Sequence, residues 1–150
     1  MEKSSKIPDT YKASVVVVDD DDAIRRAMIQ ILKNEGYEVF AATDGKGALE
    51  LTSRRTFDLM LLDIMMPGYS GLEVMTVMQA ARPDMPIVVV SALSDQATKK
   101  QAMTLGARGY LTKPFGPKDL VEILDTIFSS SYEQEKETQL PYQDEPASPE

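Results

Sequence analysis

Four acids stand in a row, Asp19 to Asp22, directly after the apolar run Val15–Val18. A lone Asp63 follows a second apolar run, Leu59–Leu62. Ser91 follows a third, Ile87–Val90, and Thr112 and Lys113 follow Gly109–Leu111. If these runs are strands of one sheet, Asp19, Asp20, Asp63, Ser91 and Lys113 gather along one edge of it. Clustered carboxylates repel one another and stay ionised together only when a cation joins them. The chain has no His and no Cys, so its ligands are oxygens, and an open oxygen site favours Mg²⁺. A lysine opposite adds a second positive charge, and a serine hydroxyl adds a hydrogen bond. Such a set suits phosphoryl transfer, which needs positioning and charge neutralisation around an in-line displacement. A carboxylate can itself be the nucleophile and carry the group as an aspartyl phosphate.

The elements that position these residues are legible in the hydrophobic pattern. The runs VVVV, LMLL and IVVV show no polar alternation, as expected of central parallel strands buried on both faces. Val39–Ala42 and Gly109–Leu111 supply two more strands. Helical patterns fill the gaps. Ile24, Ala27, Met28, Ile31 and Leu32 form one apolar stripe, with Asp22 as its expected cap and Gly36 as its stop. A second helix starts near Gly45 and carries Ala48, Leu49 and Thr52. A third runs from Gly71 to Ala80 with Leu72, Met75 and Met78. The fourth, over 95–105, is weakly amphipathic. The fifth opens at Pro117, a favoured first-turn residue, and carries Leu120, Val121, Leu124 and Ile127. Five strand–helix units in about 115 residues predict a doubly wound α/β fold, a parallel sheet with helices on both faces. Ligands of such folds bind at the carboxyl ends of the strands.

Composition narrows the function further. The chain has 150 residues, with 24 acids against 16 bases and a net charge of −8 at pH 7. That length suits one domain with tails. Without His or Cys, a histidine base, a phosphohistidine on this chain, disulfides and Cys/His zinc sites are all excluded. An acidic body is a poor surface for nucleic-acid phosphates. No apolar run approaches the ~20 residues of a membrane helix, and the N-terminus lacks an apolar signal core, so the expected setting is cytoplasmic. Residues 1–12 read as a flexible arm and 13–128 as the folded domain. Residues 129–150 are acidic and rich in Pro and Ser, which predicts a disordered tail or linker.

The stretches VVVVDDDDAIRRAM, LMLLDIMMPGYSGLEV, IVVVSAL and GARGYLTKPF, in this order and spacing, resemble the receiver domain of two-component response regulators. The likeness spans about residues 13–128. It implies a flavodoxin-like (βα)5 fold with strand order 2-1-3-4-5 and a signalling domain, not an enzyme with a turnover substrate. It implies that Asp63 accepts the phosphoryl group. Mg²⁺ is implied to lie on Asp19, Asp20, Asp63 and the backbone carbonyl of Met65. Ser91 and Lys113 are implied to hold the phosphoryl oxygens, and Pro114 matches a position often cis in the family. Tyr110 matches the aromatic that turns inward when Ser91 is drawn to the phosphate. The implied donor is a sensor histidine kinase or phosphotransfer protein. The implied receiver of the signal is an effector protein or an output domain beyond this chain. The face of the fourth helix, fifth strand and fifth helix is implied to repack on phosphorylation, and it is where such domains often form homodimers.

Blander readings stand beside each motif. Asp19–Asp22 alone fits a solvated turn with a helix cap. Asp63 alone fits an Asx turn, Lys113-Pro114 a loop, and Tyr110 a core-edge aromatic. Two rival functions also remain at this stage. DDDD contains the Asp-x-Asp of Mg²⁺-dependent phosphohydrolases, whose nucleophile lies at the first strand. A receiver-like binding module that works without phosphorylation is the other, although such modules usually lose one member of the pocket. Met65 and Leu93 place apolar groups around the site, which predicts a long-lived phosphorylated form.

Overall fold

A computed structural model describes residues 11–66, 68 and 70–129. Most of the arm expected at 1–12 and of the tail expected at 129–150 lies outside these residues. The described chain alternates strand and helix throughout: β1 (Ser14–Val18), α1 (Asp22–Asn34), β2 (Glu38–Ala42), α2 (Gly45–Arg54), β3 (Leu59–Leu62), α3 (Gly71–Ala81), β4 (Ile87–Ser91), α4 (Gln96–Thr104) and β5 (Gly109–Thr112). A final helix, α5, occupies 117–129 of the described residues. The strands form one parallel sheet in the order β2-β1-β3-β4-β5. The expected (βα)5 doubly wound fold, with its strand order, is the one observed.

The unbroken apolar runs have the predicted cause. Val15 to Val18, Leu59 to Leu62 and Ile87 to Val90 are all buried, because alternate side chains enter opposite faces. On one face Val16, Val18, Met60, Leu62 and Val89 pack with Ala48 of α2, Val74, Met75 and Met78 of α3, and Ala102 of α4. On the other, Val15, Val17, Leu59, Leu61, Val88 and Val90 pack with Met28 and Leu32 of α1 and Leu120, Leu124 and Ile127 of α5. Helix α4 contributes only Ala102 to the core and leaves Met103 exposed, as its weak pattern predicts.

Two local details differ from the sequence pattern. Ala27, expected in the α1 stripe, is exposed; Met28 and Leu32 carry the burial at the centre of the stripe. The α1 cap is Asp21, not Asp22. Asp21 has extended backbone and its carboxylate accepts from the Ile24 N–H at 3.1 Å. Asp22 is already helical and pairs with Arg25 one turn on. Gly36 stops the helix as expected, at φ +96°, a conformation glycine adopts without cost.

Candidate functional site

The strand ladder carries the chemical residues into place. The Asp19 N–H donates to the Ala42 carbonyl at 3.2 Å, and the Asp63 N–H to the Val18 carbonyl at 3.0 Å. The Lys113 N–H donates to the Ser91 carbonyl at 2.8 Å. Asp19, Asp63 and Lys113 are thus the first residues past their strands and Ser91 the last within its own, while Asp20 lies one residue further out. The carboxyl edge gathers Asp19, Asp20, Asp63, Ser91 and Lys113, as their positions after the apolar runs require.

Asp19, Asp20 and Asp63 each bring a carboxylate oxygen within 4.8 Å of the others. Asp19 is fully buried and Asp63 is 4% exposed, whereas Asp20 is open to solvent. Asp19 Oδ1 accepts from the Asp21 N–H at 2.9 Å, and Asp63 Oδ1 from the Met65 N–H at 2.9 Å. Lys113 Nζ lies 2.9 Å from Asp19 Oδ2 and donates to Asp63 Oδ2 at 3.3 Å. Lys113 is thus the ion-pair partner of both buried carboxylates, and among the described residues it is the only partner of Asp19 Oδ2. Three clustered carboxylates against one ammonium leave the site short of positive charge. The all-oxygen donor set with one solvent-open member fits a hard, partly hydrated divalent cation, which would supply the missing positive charge.

Electrostatics follow from this packing. Burial pushes the Asp63 carboxyl above its ordinary range; the Met65 N–H and Lys113 oppose the rise, and Asp19 adds to it. Burial alone would depress the Lys113 ammonium, but hydrogen bonding and charge from Asp19 and Asp63 outweigh it and hold it above its ordinary value. The site therefore holds a firmly charged lysine between two carboxylates that do not fully tolerate each other.

Ser91 is fully buried at the end of β4. Its Oγ accepts from the Leu93 N–H at 3.1 Å. The Leu93 carbonyl in turn accepts from the Tyr110 hydroxyl at 2.6 Å. One residue, Leu93, thus connects Ser91 to Tyr110. The Lys113–Pro114 peptide is cis. Met65 and Leu93 are 52% and 36% exposed, large apolar groups on the two loops that bound the site.

Arg25 and Gly71 carry no chemical signal in the sequence, yet both touch the site's backbone. Arg25 Nη1 donates to the Asp19 carbonyl at 3.0 Å. Gly71 opens α3 against the peptide that follows Asp63. A Cβ there would meet the Asp63 carbonyl oxygen at 2.5 Å and collide with Ile64 Cα. The faint signal for Gly71 is a glycine in a helical first turn, where helix propensity alone disfavours it.

This arrangement of fold and edge has known counterparts. The response regulator receiver domain family matches residues 15–125, and the chain belongs to that family of two-component signalling domains. Its fold is similar to the chemotaxis protein CheY4 of Vibrio cholerae, at 32% identity and a TM-score of 0.73, covering 76% of this chain and 97% of that one. A CheY-like receiver domain protein from Methanospirillum hungatei is 35% identical, with a TM-score of 0.73 over 83% of this chain and 97% of the other. NtrX from Brucella abortus is 29% identical with a TM-score of 0.80, but the 85% of this chain that matches spans only 29% of that protein. No helix among the described residues is long and apolar enough to cross a membrane.

Proposed function

We propose that the chain is a phosphorylation switch whose acceptor is Asp63. The donor is a phosphohistidine on a separate sensor histidine kinase or phosphotransfer protein, since this chain has no His. An Asp63 carboxylate oxygen attacks the phosphorus in line, the bond to the imidazole nitrogen breaks, and the donor's imidazole leaves with its electron pair. Asp19, Asp20, Asp63 and the carbonyl of Met65 are the residues that would hold Mg²⁺. When bound, the ion supplies charge neutralisation for the carboxylates and the incoming phosphoryl oxygens. Lys113 moves its attention from Asp63 to the phosphoryl oxygens, and Ser91 Oγ donates to another of them. The observation that carries this reading is the cluster of three acids, Asp19, Asp20 and Asp63, with the single ammonium of Lys113 shared between the two buried ones.

The switch in this reading runs through Leu93. Ser91 Oγ accepts from the Leu93 N–H and donates to the phosphoryl group through its own O–H; turning toward that group alters the bond from Leu93. The Leu93 carbonyl is the partner of Tyr110, so that change loosens Tyr110 and lets it turn inward. A local charge event of about −1.5 to −2 thereby biases a two-state packing on the α4–β5–α5 face. That face is the proposed contact for an effector, an output domain or a second copy. In this reading the chain works in the cytoplasm, residues 13–128 are the receiver, and 129–150 are a linker or tail. The exposed Met65 and Leu93 shield the acyl phosphate, so replacing Leu93 with Asn shortens the phosphorylated lifetime several-fold in a dephosphorylation time course.

The test is intact mass after incubation with acetyl phosphate and Mg²⁺. Wild type gains one phosphoryl group; Asp63→Asn gains none and keeps its fold by circular dichroism. Equal uptake by both proteins removes Asp63 from its role.

A further inference from the structure

We propose that Arg25 is a positioning residue for the acid pair, acting through the backbone of Asp19. The inference rests on the reading of Asp19 and Asp20 as metal ligands and adds a residue to it. Arg25 sits in the first turn of α1 with its side chain only 13% exposed. One arm of its guanidinium, Nη1, donates to the Asp19 carbonyl at 3.0 Å. The other arm, Nη2, pairs with the Asp22 carboxylate. The fork therefore spans from the end of β1 to the start of α1 and braces the short link, Asp20 and Asp21, between them.

That link is where the site is least supported. The Asp19 N–H is held by Ala42 and its Oδ1 by the Asp21 N–H, but Asp20 is exposed beyond the last strand pairing. The direction of the Asp20 carboxylate is set by the backbone on either side of it, and Arg25 fixes that backbone. A planar fork with two donors suits this task, and a lysine, a point charge on a flexible stem, cannot span both acceptors.

Bracing and bare charge predict opposite effects on cation binding. Removing a positive charge near the acids strengthens Mg²⁺ binding; removing the brace weakens it. Arg25→Lys keeps the charge and loses the fork, so it separates the two. The experiment is calorimetric titration of the full chain with Mg²⁺ for wild type, Arg25→Lys and Arg25→Ala, with thermal melts in chelator alongside. Both variants are expected to bind Mg²⁺ about 10-fold more weakly, the lower end for loss of a residue that orients a ligand. Their phosphorylation by acetyl phosphate is expected to slow at low Mg²⁺ and recover at saturation, which a merely destabilised fold would not do. Arg25→Ala binding as tightly as wild type or tighter, or Arg25→Lys matching wild type, overturns the proposal. If either variant fails to fold, Arg25→Gln takes its place, removing the charge and the fork together; weaker Mg²⁺ binding there supports the brace, since charge loss alone strengthens it, and equal or tighter binding overturns it. A wild-type chain that binds no Mg²⁺ at all removes the metal-site reading and the brace together. Normal wild-type binding with unaltered variants removes the brace alone.

Discussion

The two ends of the sheet treat their carboxylates differently. At the amino end, Asp58 Oδ2 accepts from both the Ser14 N–H at 2.8 Å and the Ser14 hydroxyl at 3.2 Å. The Asp58 N–H returns a bond to the Ser14 carbonyl at 2.9 Å. This pairing closes on itself and ties the start of β1 to the loop before β3. At the carboxyl end, Asp19 and Asp63 share one ammonium, Lys113, and burial drives Asp63 toward protonation. A carboxylate closed in its own hydrogen bonds holds architecture; three acids around one ammonium have capacity for a further cation. The amino end carries a closed structural tie, and the carboxyl end carries the chemistry.

Changes at the two ends should therefore separate. The largest effect is expected from Gly71→Ala, which forces the peptide after Asp63 to shift. A misplacement of about 1 Å costs an oriented reaction on the order of 10²-fold, so the acetyl-phosphate rate should fall between 10- and 100-fold on protein that still melts cooperatively. Mg²⁺ comes next. At about 100 times its dissociation constant it should stabilise the chain by ~2.7 kcal/mol, read as a rise in melting temperature, and Asp19→Asn should erase that rise. At the amino end, Asp58→Ala should cost about 1–2 kcal/mol of stability through the lost Ser14 bonds and leave the phosphorylation rate at the wild-type level. A slowed rate there would break the division between the ends.

The smallest effect is a pH dependence in the absence of metal. Burial holds the folded-state pKa of Asp63 above the ordinary carboxylate range. Its protonated form therefore favours the native state: the contribution is present below the unfolded pKa and is lost as pH rises through the folded one. With chelator present, Asp63→Asn should melt higher than wild type near pH 7. The gap should narrow as the pH is lowered toward 4. A gap that widens on acidification contradicts the stated direction.

Much of this was legible in the sequence, for reasons that differ by residue. Strands buried on both faces must be apolar at every position, so VVVV, LMLL and IVVV announced a parallel sheet, and the residue after each run had to lie at the carboxyl edge. Asp63 and Lys113 were placed by that logic alone, and the family resemblance supplied their proposed roles. The Asp21 cap was missed because all four acids are equally able to cap, and backbone torsion, not residue type, selects one. Arg25 and Gly71 were missed because their contacts are with backbone atoms: a carbonyl to brace and a peptide to avoid leave almost no trace in residue type. The division of α1 from α2, α3 and α4 across the sheet is not written in any one helix, whose apolar stripe does not say which face it covers; it follows from the strand order with right-handed crossovers.

The most direct test of the central claim locates the phosphoryl group. The chain is treated with acetyl phosphate and Mg²⁺, reduced with borohydride, digested and sequenced by mass spectrometry; an acyl phosphate is thereby converted to homoserine. The account predicts homoserine in place of Asp63, and at no other acid. Homoserine in place of Asp19, Asp20 or Asp21 would contradict it and move the nucleophile to the first strand, as in the rival phosphohydrolase reading.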